Sequence, residues 1–451
     1  MQEILQMKLM YATSDKGYSL DELVCQLGDL MKEKGLPGIL QLILQLQDEH
    51  LAIGLIKGDA NWHPEPCCEH ASYECVQKTS KSFKTSIGQT HVRWSRLRCR
   101  NCRKTFVPLR DFLGLEPWQS KTGEIERVVV ETVADQSYRR GSKHLETAGC
   151  IPVPKSTAHR WVAQSDCDEM DSGTETMDLL FADGSGYKRR PSPAEGKNNR
   201  GEVRIAFGVE KTGRIRPIGA WSGENWESIA SQVKGEREDG RQVAEMFIGD
   251  GETGLLKALG MLCGSQQRCH WHAVRDLNFE AWKGGALLEE RKEMQSKLAG
   301  ILELDIPEED FESVDEEDKR DLAEKVLEAE KKVDELQSKL DDKGYAEAAG
   351  YVRRLKRNLF EYVRRWLETG LVCPRAASWI ERTMREVARR LKRIAFGWSE
   401  KGAAKMTRIV IKRFLNKKDW DKYWQKKLRI DGNVRFFLRD ISLCSPTILG
   451  R

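Results

Sequence analysis

Two short apolar runs in this chain end in the same way. Leu179-Leu180-Phe181-Ala182 leads into Asp183-Gly184, and Phe247-Ile248-Gly249 leads into Asp250-Gly251. Apolar runs of this length bounded by glycine read as buried strands. The end of a buried strand is where α/β folds often place a metal-binding acid. Neither aspartate has an obvious partner nearby in the sequence, so the pair implies shared divalent metal. The middle of the chain must therefore build a sheet whose strand ends bring two carboxylates together.

The neighbouring segments fit such a sheet. From about Asp178 the pattern is β-rich: MDLLFADG is a first strand, and VRIAFGVEK with IRPIGAWS makes a hairpin around Thr212-Gly213. ESIASQVKG reads as a helix, FIGDG as the next strand, and RCHWHAV, carrying Cys269 and His272, as a fifth. The order β-β-β-α-β-α-β-α is that of an RNase H-like domain, an α/β fold with a mixed central sheet and helices on both faces. In that fold Asp183 and Asp250 lie side by side.

A length of 451 residues implies two to four domains. Residues 1–58 read as an N-terminal helical region: Leu20, Leu23, Val24, Leu27, Leu30 and Met31 recur at helix spacing behind a Ser19 cap, and a second helix runs from about Pro37 to Ala52. Residues 59–112 carry Cys67-x-x-His70 and Cys99-x-x-Cys102 on either side of a strand-prone stretch that turns at Gly88. Two such knuckles flanking a hairpin form a zinc ribbon, with Cys67, His70, Cys99 and Cys102 around a structural Zn²⁺. Cys68 or Cys75 can replace one of these ligands, and His63 is a weaker candidate. Twelve cysteines in a large chain of this kind read as thiols and metal ligands rather than disulfides.

Residues 113–170 hold a helix marked by Ile125, Val128, Val129, Val130, Val133 and Ala134, then SKHLETAG, a break at CIPVP, and KSTAHRWVAQ. Helix, turn, helix fits a helix-turn-helix. Its second helix offers Lys155, Ser156, Thr157, His159 and Arg160 to a major groove, while Trp161 and Val162 pack inward. Residues 171–282 are the first part of the catalytic sheet domain. Residues 283–370 form an all-helical insertion in which Leu322, Val326, Ala329, Val333 and Leu336 hold helix spacing, with an acidic linker near 307–318. The domain's second part is 371–415, and 416–451 form a basic tail.

Charge is segregated along the second half. Residues 301–350 hold 19 Asp/Glu against 7 Lys/Arg, a net of −12; residues 351–440 hold 26 Lys/Arg against 9 Asp/Glu, a net of +17. Such asymmetry points to a polyanionic partner for the basic part. No apolar run is long enough to span a membrane, and the N-terminus lacks a secretion signal, so the expected location is cytoplasmic.

Catalysis on DNA by this fold calls for a third acid on a late helix. ASWIERTMREVARRLKRI has an apolar face of Ala377, Ile380, Met384, Val387, Ala388, Leu391 and Ile394, with Glu381 about 80° from its centre. Arg382, Arg385 and Arg389 lie further round and would meet phosphates. Glu386, Glu368, Glu361, Asp276 and Glu280 are rivals for the role.

Taken together, Asp183-Gly184, Asp250-Gly251, QRCHWH with Cys269 and His272, Ser378-x-x-Glu381, Gly397-Trp398-Ser399 and Gly402-Ala403 resemble the Mutator-like DDE transposases, nearest to the bacterial insertion-sequence branch. The resemblance covers about residues 177–414. It implies a catalytic triad of Asp183, Asp250 and Glu381 holding two Mg²⁺ or Mn²⁺ ions, with Cys269 and His272 as a family marker. It also implies hydrolysis at transposon ends followed by 3′-OH strand transfer into target DNA. The expected partners are double-stranded terminal inverted repeats and target DNA, the expected assembly at least a homodimer, and the setting a prokaryotic nucleoid. Trp398 is expected either to stack on a flipped base or to sit in the core. The competing readings are a catalytically inactive relative kept for DNA binding and a structure-directed nuclease of the same fold.

Overall fold

Ser19 opens the first described helix, its hydroxyl accepting the Glu22 N–H at 3.0 Å. α1 (Leu20–Leu30) passes through a π turn at Met31–Gly35 into α2 (Leu36–Lys57), longer at both ends than the sequence implied. The computed structural model describes residues 19–149, 151–170, 173–191, 199–235, 237, 241–393 and 397–434. It divides into two units, 1–164 with 426–451 and 165–425. Ile394, in the expected apolar face, lies outside the described residues.

In the first unit, β1 (Tyr73–Thr85) and β2 (Gly88–Cys99) form an antiparallel hairpin that closes at Thr85 and Gly88, with short β3 (Thr105–Phe106) added beside β2. α2 packs on β2. It is pinned there by buried Asp48, whose carboxylate accepts the Ser95 N–H at 2.9 and 3.0 Å and the Ser95 hydroxyl at 2.8 Å. Leu51, Phe83, Val92, Trp94, Val107 and Leu109 fill the space between, the last from α3 (Pro108–Phe112). α4 (Gly123–Asp135), α5 (Tyr138–Gly149) and α6 (Lys155–Gln164) pack on one another. Ile125, Val129, Val130, Val133, Ala158, Trp161 and Val162 are buried among these helices.

The second unit is built on β4 (Met177–Lys188), β5 (Arg200–Val209), β6 (Ile215–Ser222), β7 (Ala244–Gly249) and β8 (Cys263–Arg268), in the order β6-β5-β4-β7-β8. β4, β5 and β6 pair antiparallel, while β7 and β8 run parallel to β4. Leu179 to Ala182 and Met246 to Gly249 are buried on both faces, as central strands of a covered sheet must be. α7 (Trp226–Lys234) links β6 to β7, and α8 (Thr253–Ala258) links β7 to β8.

The fifth strand differs from expectation. It ends at Arg268, and the Cys-x-x-His pair lies on the first turn of a helix, α9 (His270–Lys283). Ala273, Leu277 and Ala281 recur at helical spacing on its buried face, a pattern that overrides the aromatic letters of RCHWHAV.

The helical insertion follows as α10 (Leu288–Ile301), α11 (Glu316–Asp342), α12 (Ala346–Leu355) and α13 (Glu361–Thr369). The five expected α11 positions are buried, with Leu340 added. Asp315, in the acidic linker, caps α11 by accepting the N–H groups of Glu317 and Asp318 at 3.0 and 2.8 Å. The chain then returns as α14 (Ser378–Leu391), which packs on β4, and α15 (Glu400–Leu415), which packs on β6; α16 (Lys417–Leu428) is the last described element. Among the described residues, no helix is long and apolar enough to cross a membrane.

Candidate functional site

Strand register assembles the site. Phe181 of β4 pairs with Ile248 of β7, so Asp183, midway along β4, and Asp250, just past the end of β7, occupy neighbouring positions, each two residues further on. Gly249 pairs with Arg268, which sets Cys269 beside Asp250. The Gly184 N–H donates to the Asp183 carboxylate at 2.6 Å, and the Glu252 N–H donates to Asp250 at 3.0 Å. Gly251 has φ +86°, and the Arg268 guanidinium crosses its α-carbon so closely that a Cβ there would meet Nη1 at 1.1 Å. Only glycine permits both the backbone turn and that crossing.

α14 supplies the third acid. Ile380, Thr383, Met384, Val387 and Leu391 are buried, and half-buried Glu381 borders that face. The Glu381 carboxylate meets His272 Nε2 at 3.0 Å. Each rival acid is instead engaged with a cation: Glu361 with Arg364, Glu368 with Arg365, Glu386 with Arg389, Asp276 with Arg268 and Arg275, and Glu280 with Lys283.

The electrostatics tie the groups together. Burial, the Asp250 charge and the Glu381 charge push the Asp183 carboxyl up to about 7 against the bond from Gly184. His272 holds Glu381 below the usual carboxylate range, despite burial. Burial alone would lower His272, but Cys269 and Glu381 outweigh it and raise the imidazole to about 9. Burial would likewise raise the Cys269 thiol; His272 and the N–H groups of Ala377 and His272 hold it below its ordinary range. The Ala377 N–H reaches Cys269 Sγ at 3.2 Å. Cys269 and His272 thus connect the end of β8 to the start of α14 and fix Glu381 from behind. Three carboxylates around one imidazolium leave net negative charge and oxygen donors, the ligand chemistry of a hard divalent cation.

No protein-family model matches the chain, and no curated protein matches it.

A second candidate metal centre lies in the first unit. Cys67, Cys68, Cys99 and Cys102 bring their sulfurs within 4.8 Å of one another, and this is the metal-competent group found among the described residues. Asp183, Asp250 and Glu381 are not drawn together to that degree. The four-cysteine cluster can hold a structural metal such as zinc, and it corrects the expected ligand set: Cys68 takes the place of His70, which is exposed. The Cys68 and Cys99 sulfurs are 3.7 Å apart, and those of Cys67 and Cys102 are 3.4 Å apart. Cys75 and His63 are exposed and outside the cluster. The adjacent pair Cys67-Cys68 was the signal for a four-thiol site, and the more familiar Cys-x-x-His spacing masked it.

On α6, Lys155, Ser156, His159 and Arg160 are exposed and Thr157 is partly so, while Trp161 and Val162 face inward as expected. Arg382, Arg385 and Arg389 are exposed on α14, and Arg389 pairs with Glu386. Trp398 follows the core alternative: it is 4% exposed, Arg390 covers its ring at 4.6 Å, and its backbone bonds Lys188 and Arg190 beside β4. It offers no open ring face to a base. Trp271, adjacent to His272, and Trp379, two residues before Glu381, are exposed, which strand and helix patterns did not distinguish from core.

Proposed function

We propose that this chain is a DDE transposase, a metal-dependent polynucleotidyl transferase with an RNase H-like catalytic sheet. The observation that carries the reading is the convergence of Asp183, Asp250 and Glu381, from the middle of β4, the end of β7 and α14, beside the central strands of a sheet ordered β6-β5-β4-β7-β8. The three acids would hold Mg²⁺ or Mn²⁺, whose chemistry when bound is to activate a nucleophile and stabilise the leaving oxygen of a phosphodiester. His272 orients Glu381 through its Nε2 bond and keeps it ionised. Arg382 and Arg385, exposed on the helix that carries Glu381, would contact the phosphate backbone. The four-cysteine cluster is the metal site of a zinc ribbon, and α6 is the recognition helix of an end-binding helix-turn-helix.

The test is to combine the protein and Mg²⁺ with DNA bearing the inverted repeats that flank its gene. Nicking at the repeat ends and joining of the 3′ ends are expected, with Asp250→Ala reducing both by about 10²- to 10³-fold, the scale of losing a group that stabilises transition-state charge. Wild-type protein no more active than Asp250→Ala would end the proposal. Cleavage of branched DNA without end specificity or joining would identify a nuclease instead.

A further inference from the structure

α9 turns its aromatic residues outward. His270, His272, Ala273, Leu277 and Ala281 are buried, while Trp271, Phe279 and Trp282 are 54, 55 and 61% exposed. At 100° per residue these three and Arg275 fall within about 80° of one face. The helix rise separates successive members of the row by roughly 6, 6 and 4.5 Å, about 16 Å in all. Along the axis the rings alone are about 12 Å (Trp271 to Phe279) and about 4.5 Å (Phe279 to Trp282) apart, with Arg275 midway across the longer gap.

The row begins at the candidate site. The Trp271 ring lies 4.8 Å from that of His272, whose Nε2 contacts Glu381. The Arg275 guanidinium stacks 5.0 Å over Trp271, and Arg275 and Arg385 are both close enough to Glu381 to help lower its carboxyl. Single exposed apolar residues are ordinary on protein surfaces, but an aligned row marks a partner. Planar rings interleaved with guanidinium and running away from a cluster of phosphodiester-directed acids have the makeup of a stacking platform for unpaired bases.

We infer that this face of α9 is a track for single-stranded DNA leading from the carboxylate site, an inference that rests on the reading above. Trp271 stacks the base nearest the acids, Arg275 meets the intervening phosphate while keeping its ion pair with Asp276 at 2.7 Å, and Phe279 and Trp282 stack the bases beyond. Strand sequence does not matter, because every base offers a π face.

The test measures binding of a labelled oligothymidine of about 12 nucleotides to the full-length protein without divalent metal, so that no cleavage is required. Trp282→Ala and Phe279→Ala are expected to weaken single-strand affinity by about 5- to 150-fold each, the range found for losing one stacked base. Trp282→Phe should retain most of it. Thermal unfolding should be unchanged, since both side chains face solvent, and duplex affinity should be unchanged as well. Unaltered oligothymidine affinity in both alanine variants overturns the inference. So does loss of self-association in sedimentation with single-strand affinity intact, which would assign the row to a second copy of the chain. If wild-type protein neither nicks nor joins repeat-end DNA and the alanine variants still lose single-strand affinity, the transposase reading falls while the track stands.

Discussion

Asp183→Asn is expected to make the metal-free protein more stable at pH 8 while removing its activity on DNA. The Asp183 carboxyl is raised from 3.8 to about 7, by burial first and then by the charges of Asp250 and Glu381. A carboxyl raised in the folded state keeps its proton between about pH 4 and 7 while the unfolded chain has released it. Stability therefore falls as pH rises through that window, and the whole penalty is present above pH 7. Each pH unit of the window is worth about 1.4 kcal/mol, so the penalty is on the order of 4 kcal/mol at most. Asparagine keeps the shape without the charge. The variant's advantage in urea or thermal unfolding should approach that figure at pH 8 and vanish below pH 4. Mn²⁺ should raise the unfolding temperature of wild type, because a cation bound to the native state relieves the repulsion and adds binding free energy, and it should do little for Asp183→Asn. A variant as unstable relative to wild type at pH 8 as at pH 4 would show that Asp183 is not under this charge load.

The parts of the second unit that were legible in the sequence are those whose local pattern and tertiary role agree. The runs before Asp183 and Asp250 are buried on both faces, so their composition alone marks central strands. The glycine after Asp250 lies just past the end of β7, where no other residue leaves room for Arg268. Gly184, by contrast, stays paired inside β4, which runs on to Lys188, so Asp183 is a mid-strand and not a strand-end acid. The α11 stripe and the Ser19 cap were readable for the same reason, since both are local periodicities. What escaped is decided by packing. RCHWHAV has a strand's share of aromatic and β-branched residues, yet Ala273, Leu277 and Ala281 need a helical face to reach the core. A count of letters cannot show that Trp271 and Trp282 point outward while Trp398 points inward, because tryptophan suits either place and only the neighbours decide. The link from Cys269 through His272 to Glu381 joins residues more than a hundred positions apart, and no spacing rule in the chain reports it.

Loss of the metal from the four-cysteine cluster is expected to unfold the first unit's hairpin end. Zinc bound by thiolates at about 2.3 Å in a tetrahedron holds its sulfurs about 3.8 Å apart. The Cys68–Cys99 and Cys67–Cys102 separations, 3.7 and 3.4 Å, lie near that value. The thiols are also primed unequally. N–H groups of Cys102 and Asn101 hold Cys99 down to about 6 against burial, whereas hydrogen bonding to Cys102 pushes Cys67 up to about 12. Cys99 is therefore the natural first ligand, and Cys67 needs the cation to release its proton. Around them the apolar support is thin: Ala52, Leu55, Tyr73 and Leu97 are buried, with Ala60, Trp62, Ala71 and Phe106 only partly so. Structural zinc contributes about 10–16 kcal/mol of apparent binding free energy in small zinc domains, as much as an ordinary domain's whole stability. Wild-type protein should carry about one zinc per chain by elemental analysis, and Cys99→Ser or Cys68→Ser should carry almost none. Both variants should expose the β1–β2 hairpin to protease, as chelation of wild type should. His70→Ala and Cys75→Ser should keep both the metal and the protection, since neither side chain is in the cluster. If His70→Ala strips the zinc and Cys68→Ser retains it, the ligand set is the Cys-x-x-His knuckle after all, and the four-sulfur arrangement is only the packing of reduced thiols.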